Sequence, residues 1–215
     1  MLSRISVSGC WVLLLTCQLL FGQEKWELAL DKQDIKVYTR TRAGSSVKEF
    51  QAHTEIQASL TSVVAALQDY QQHPQWMYQI ASAELLDKAD EQNTMNRYVL
   101  KLPWPFKARD LITSAKFEVV NPSKKVRLLL NSQPGYIPET EKHVRMNKAG
   151  GSWEITSLSS EKVKVVYEYY AVPQSVPAWV VNLFIVNGPY ETLLELKSIL
   201  VKNPYKNIDI SWLHQ

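Results

Sequence analysis

Cysteine is almost missing from this chain: its 215 residues include only Cys10 and Cys17, both within the first 22. Without that segment there is no thiol, which excludes a structural disulfide, a thiolate zinc site and a cysteine nucleophile. Histidine is equally sparse. His53, His73, His143 and His214 are scattered and never take a metal-binding spacing such as His-x-x-x-His. Seven glycines, with no cluster larger than a pair, leave no phosphate-cradling loop. No Gly-x-Ser-x-Gly elbow, P-loop or dinucleotide fingerprint occurs. Charge of one sign never accumulates either. The chain has 24 Lys and Arg against 21 Asp and Glu, a net charge of +3, and no basic run longer than two. This balance argues against nucleic acid as a partner. The most basic stretch, Pro122 to Arg127, reads as a turn with solvated flanks.

Apolar residues are present in ordinary proportion, 46%, enough for one good-sized domain. The first 22 residues stand apart. Arg4 is their single charge, and Trp11 to Phe21 is an apolar run interrupted by Gln18. The run is shorter than the ~20 apolar residues of a membrane span and suits the core of a signal peptide. Gly22 fits a cleavage site, although Leu20 is a poor residue two positions before it. The expectation is export to a periplasmic or extracellular space, with an uncleaved anchor as the alternative. Leu14-Leu15-Thr16-Cys17 loosely resembles a lipid-attachment box, with Thr16 larger than usual there. The domain reading is a signal peptide over 1–22, one domain over 23–202 and a polar tail over 203–215.

Within the domain, Trp26 to Asp34 reads as a turn or two of helix. Ile35 to Arg40 alternates as a strand, Ala43 to Ser46 marks a turn, and Val47 to Gln57 completes a hairpin. Ser59-Leu60-Thr61 opens a helix with Val63, Val64, Leu67 and Tyr70 at helical spacing, ended by Pro74. Strands follow over 97–102, 110–120, 126–131, 142–146, 151–158 and 162–170, with turn signals at Asn121-Pro122-Ser123, Pro134-Gly135 and Gly150-Gly151. Val176 to Val201 is a long helical stretch carrying Trp179, Leu183, Val186 and Tyr190 near one face. Gly188-Pro189 predicts a kink or restart within it. Strands in series followed by a long helix mean α+β, with a curved antiparallel sheet able to wrap that helix.

Five stretches carry a family likeness: Gln33 to Arg40, Asp69 to Trp76, Pro103 to Asp110, Val144-Arg145 with Gly151 to Glu154, and Val176 to Asn182. In this order they span residues 26–202. The layout resembles the START domain, the helix-grip fold of steroidogenic acute regulatory protein-related lipid transfer, and most of all its exported bacterial members. The resemblance implies a tunnel closed by the C-terminal helix, one bound lipid, no catalysis and no cofactor. Arg109-Asp110 matches the family's Arg-Asp pair, read here as a structural tie at a strand entry. Trp104 and Phe106 fall in the loop that borders the tunnel mouth in relatives, as a gate or as plain packing. Sterol-binding relatives place an acid before that pair and a base after it. Here those positions fall near Tyr98 and on Ala115, so the ion pair is missing and the cavity is more apolar.

The remaining ligand candidates come from patterning. Arg145 and Glu154 are either paired structural charges or polar groups of the cavity. Tyr167 and Tyr169 share a strand face, where they either bring hydroxyls to the cavity or pack at the edge of the core. Trp179, Leu183 and Val186 form the helix face. Three functions compete. The first is binding and shuttling of a lipid or other apolar molecule by a monomer, with transient membrane contact. The second is an enzyme on a hydrophobic substrate, using Asp110, Arg145, Glu154 or His143. The third is a partner-binding module docking through the Trp179 face.

Overall fold

The computed structural model describes residues 25–42, 44–202, 204–206 and 208–214. The N-terminal segment read as an export signal, with Cys10 and Cys17, lies outside them. The chain opens with three strands, Glu27–Lys32 (β1), Ile35–Thr41 (β2) and Lys48–Ile56 (β3). β1 replaces the helical turns expected over Trp26 to Asp34. Gln33 and Asp34 both take positive φ, 52° and 59°, the backbone of a tight hairpin turn whose twist matches that of the flanking strands. Glutamine is an unusual residue there, so the turn is hidden in the sequence.

Ser59 then caps Leu60–Gln68 (α1), its side chain accepting from the Ser62 N–H at 3.1 Å. Every α1 residue from Ser62 to Leu67 is buried. α1 ends at Asp69, before the proline expected to stop it. Pro74 instead opens a separate turn, His73–Trp76 (α2), where its missing N–H removes no helical hydrogen bond.

Seven strands follow: Ile80–Lys88 (β4), Asn93–Leu100 (β5), Arg109–Asn121 (β6), Lys125–Ser132 (β7), Val144–Arg145 (β8), Lys148–Ser159 (β9) and Lys162–Val172 (β10). The sheet runs β1-β2-β3-β10-β9-β7-β6-β5-β4, antiparallel throughout, with the short β8 parallel to β6. Gly150-Gly151 is no turn but lies within β9, near its start, facing Tyr170 and Tyr169 of β10. A Cβ on Gly151 would lie 2.0 Å from the Glu168 carbonyl oxygen and 2.7 Å from the Tyr169 ring. One on Gly150 would lie 3.0 Å from the Leu130 carbonyl oxygen and 3.2 Å from the Tyr170 ring. The pair is there because two aromatic rings lie across it.

The C-terminal helical stretch is two helices, Ala178–Phe184 (α3) and Asn187–Val201 (α4). The break falls at Ile185-Val186, and Gly188-Pro189 sits in the first turn of α4, a position proline tolerates. The core lies between the inner face of the sheet and the helices, with Leu193, Leu196 and Leu200 of α4 buried against it. Trp153 is fully buried and stacks on Tyr167 at 3.8 Å between ring centroids. The segment expected as a polar tail buries Tyr205, Ile210, Trp212 and Leu213 in the same core. Among the described residues, no helix is long and apolar enough to cross a membrane.

Candidate ligand cavity

Where α3 and the start of α4 cross the sheet, packing is incomplete and leaves a cavity of about 210 Å³. Phe50, Leu111, Leu130, Tyr167 and Tyr169 form its wall on the sheet side. Met77, Tyr78 and Gln79, between α2 and β4, form one side. Val181 and Phe184 of α3, Ile185, and Gly188 and Pro189 of α4 close it over the top. No Asp, Glu, His, Lys, Arg or Cys is among the residues that line it. Larger hollows of about 570 and 680 Å³ lie elsewhere, but Lys, Glu and Asp side chains line them and they open on polar surface.

The polar groups of the cavity are neutral. Burial pushes the Tyr98, Tyr167 and Tyr169 phenols far above their ordinary range, so all three stay protonated. The Tyr98 hydroxyl pairs with Nδ1 of His73 at 3.0 Å, behind the cavity wall. His73 is itself buried, and desolvation lowers its pKa to about 4. Tyr169 reaches across the bare Gly151 toward the side chain of Thr113. The backbone N–H of Tyr78 donates to Thr192 Oγ1 at 3.1 Å, which ties α4 to the cavity's side wall. α3 is held more lightly. Asn182 Oδ1 accepts from the Lys48 N–H at 3.0 Å, and its amide donates to the Ser46 carbonyl at 3.2 Å.

Residues 56–194 match the family described as polyketide cyclase/dehydrase and lipid transport. The chain belongs to this family. A STAR-related lipid transfer protein from Xanthomonas axonopodis is 32% identical, with a TM-score of 0.77 over 83% of this chain and 99% of that one. A Pseudomonas aeruginosa protein of uncharacterized function is 29% identical over 83% of this chain and 88% of its own length. Human STARD10, at 18% identity, shares the fold with a TM-score of 0.72 over 83% of this chain and 74% of that one. The sheet and C-terminal helices are therefore the START-like helix-grip arrangement expected from the sequence.

On this START-like frame the sequence-selected residues separate. Tyr167 and Tyr169 line the cavity. Trp179 and Leu183 point away from it, 68% and 62% exposed, and Val186 packs on the core without lining the cavity. Because α3 is apolar all round except at Asn182, its sequence periodicity cannot say which face turns inward. The inward face is Val181, Phe184 and Ile185. Trp104 is 92% exposed and Phe106 partly buried in the loop before β6, both outside the cavity lining.

Arg145 and Glu154 are structural charges. Arg145 donates to Asp110 at 3.0 Å and to the carbonyls of Pro134, Ile137 and Pro138. Glu154 is partly buried, which raises its pKa, but Lys125 at 2.8 Å and Arg127 at 3.1 Å outweigh this and hold it below the usual range. Arg109 and Asp110 each tie a loop, though to separate partners. Arg109 donates to the carbonyls of Lys107 and Gln174, while Asp110 takes Arg97 and Arg145. Tyr98 and Ala115 are both buried, Tyr98 in the cavity lining and Ala115 outside it. Thr113, Tyr78 and Phe50 were not among the sequence candidates. Only their placement next to α4 or across from Tyr169 makes them lining residues.

Proposed function

We propose that this protein binds a lipid or similar hydrophobic molecule in the cavity and shuttles it between membranes, with α3 as the gate. The observation that carries the reading is the cavity itself: a largely apolar space between sheet and helices, lined by no acid, base or thiol other than tyrosine. Its volume of about 210 Å³ is below the ~300–1,000 Å³ usual for ligand sites. A lipid therefore needs α3 to move outward, and the light attachment of α3 through Asn182 allows this. The exposed Trp179 and Leu183 on the outer face of α3, and Trp104 nearby in sequence to β6, suit transient contact with a bilayer. The Xanthomonas relative, a STAR-related lipid transfer protein, points the same way. Export through the N-terminal segment and a monomeric state belong to the same proposal.

Catalysis on a hydrophobic substrate has less support. Asp110, Arg145, Glu154 and His143, the candidates for it, all lie off the cavity lining. The test is native mass spectrometry of the purified chain, followed by solvent extraction and lipid analysis. A stoichiometric lipid, and uptake of an uncharged apolar dye by the stripped protein, are the expected outcomes. A protein that is empty as purified and takes up no dye would overturn the reading.

A further inference from the structure

Thr113 is 2% exposed, lines the cavity, and its hydroxyl has no well-aligned hydrogen bond to any described residue. Directly opposite it in the β5–β6 register stands Asn96, 0% exposed, with Oδ1 also unpartnered among the described residues. The Asn96 amide donates to Thr94 Oγ1 at 2.9 Å, which in turn meets the Tyr70 hydroxyl at 2.8 Å. Tyr169 approaches Thr113 from β10, and the Tyr167 ring, clamped between Phe50 at 4.9 Å and Trp153 at 3.8 Å, brings a second phenol to the lining. One wall of a largely apolar cavity is thus a patch of buried hydroxyls with spare hydrogen-bonding capacity. Buried polar groups of this kind are almost always matched by a partner, because leaving them unmatched costs about 1–3 kcal/mol each.

Building on the cavity as a ligand site, we infer that its occupant is an uncharged lipid whose polar end is a hydroxyl, received by Thr113, Tyr169 and Tyr167. A hydroxyl donates and accepts at once, which matches neutral side chains that do the same. An anionic headgroup does not fit. No Lys or Arg lines the cavity, the buried Arg109 and Arg145 are committed to backbone carbonyls and Asp110, and a buried anion needs a cation. A quaternary ammonium would find aromatic faces but offers no hydrogen bond to Thr113.

The test uses three probes that share a ten-carbon chain on the stripped full chain: 1-decanol, decanoate at pH 8 and decyltrimethylammonium, titrated calorimetrically, with the apolar dye as a control for cavity access. 1-Decanol should bind about tenfold more tightly than either ion, and Thr113→Val and Tyr169→Phe should each weaken decanol about fivefold. Circular dichroism spectra and thermal midpoints like those of the unaltered chain show that both variants are folded. Equal or tighter binding of an ion, or undiminished decanol binding by the Thr113→Val/Tyr169→Phe double variant, would overturn the inference. Dye uptake with no decanol binding would overturn it while sparing the cavity as a ligand site. Failure of the dye as well would overturn both.

Discussion

Asp110 is buried between two guanidinium groups, Arg97 at 3.0 Å and Arg145 at 3.0 Å, and Arg145 spends its other donors on three carbonyls of the loop before β8. Each charge is tolerated in the interior only because the others are there. Arg145→Ala should therefore cost about 3 kcal/mol or more, since it strands those carbonyls and half of the Asp110 shell. The expected readout is a lower urea midpoint with an unchanged slope. Lysine should not restore it, because it lacks the planar fork that meets carboxylate and carbonyls together. His73 sets a pH dependence. Its pKa of about 4 lies below the unfolded value near 6.5. The unfolded chain then binds more protons between those values, so stability is full above about pH 6.5 and falls as the pH drops toward 4. The slope should approach ~1.4 kcal/mol per pH unit. Denaturant titrations at pH 7 and 4.5 should show this fall, and His73→Gln should flatten it. Neither residue's role was legible from composition. Arg109-Asp110 stood out only as a family pair, and a lone histidine before a proline carries no spacing signal.

At the level of elements, the contrast is between α4 and α3. α4 buries a regular stripe, Leu193, Leu196 and Leu200, and is pinned in its second turn by Thr192. α3 is seven residues long, buries only Val180, and keeps its side-chain ties to the sheet in Asn182. If α3 is the gate, Asn182→Ala should speed lipid exchange several-fold, as the loss of two hydrogen bonds of about 1 kcal/mol each would allow. Gly188→Ala should slow exchange. Its added methyl meets the Tyr78 ring at 3.4 Å, an ordinary contact, while removing backbone freedom at the joint. Transfer of a fluorescent lipid between vesicles measures both, and unchanged rates in both variants would remove α3 from the gating role. The restart near Gly188-Pro189 is legible in the sequence, because proline and glycine act locally. The orientation of α3 is not, and Gly150-Gly151 carries a turn signal although it lies in a strand, because the rings that require those glycines come from β10.

For the whole molecule, the C-terminal segment after α4 is part of the core rather than an appendage. Trp212 packs on Phe117 at 5.4 Å, the Tyr205 hydroxyl donates to Asp69 at 3.1 Å, and the Ser123 N–H donates to the Leu213 carbonyl at 3.0 Å. Deleting residues 204–215 should lower stability by about 4 kcal/mol or more, given ~1.5–3 kcal/mol per buried large apolar side chain. Thermal unfolding of the truncated chain checks this, and an unchanged midpoint would contradict it. What the sequence alone determined was the class of molecule. The alternation of strands, the apolar helix pattern and the absence of thiol, metal and phosphate motifs follow from residue type and spacing, which are local properties. The cavity was decided only in three dimensions. Whether α3 meets the sheet with Trp179 or with Phe184, and whether Tyr169 fills a gap or frames one, depends on how elements distant in sequence share a finite volume. No periodicity records that.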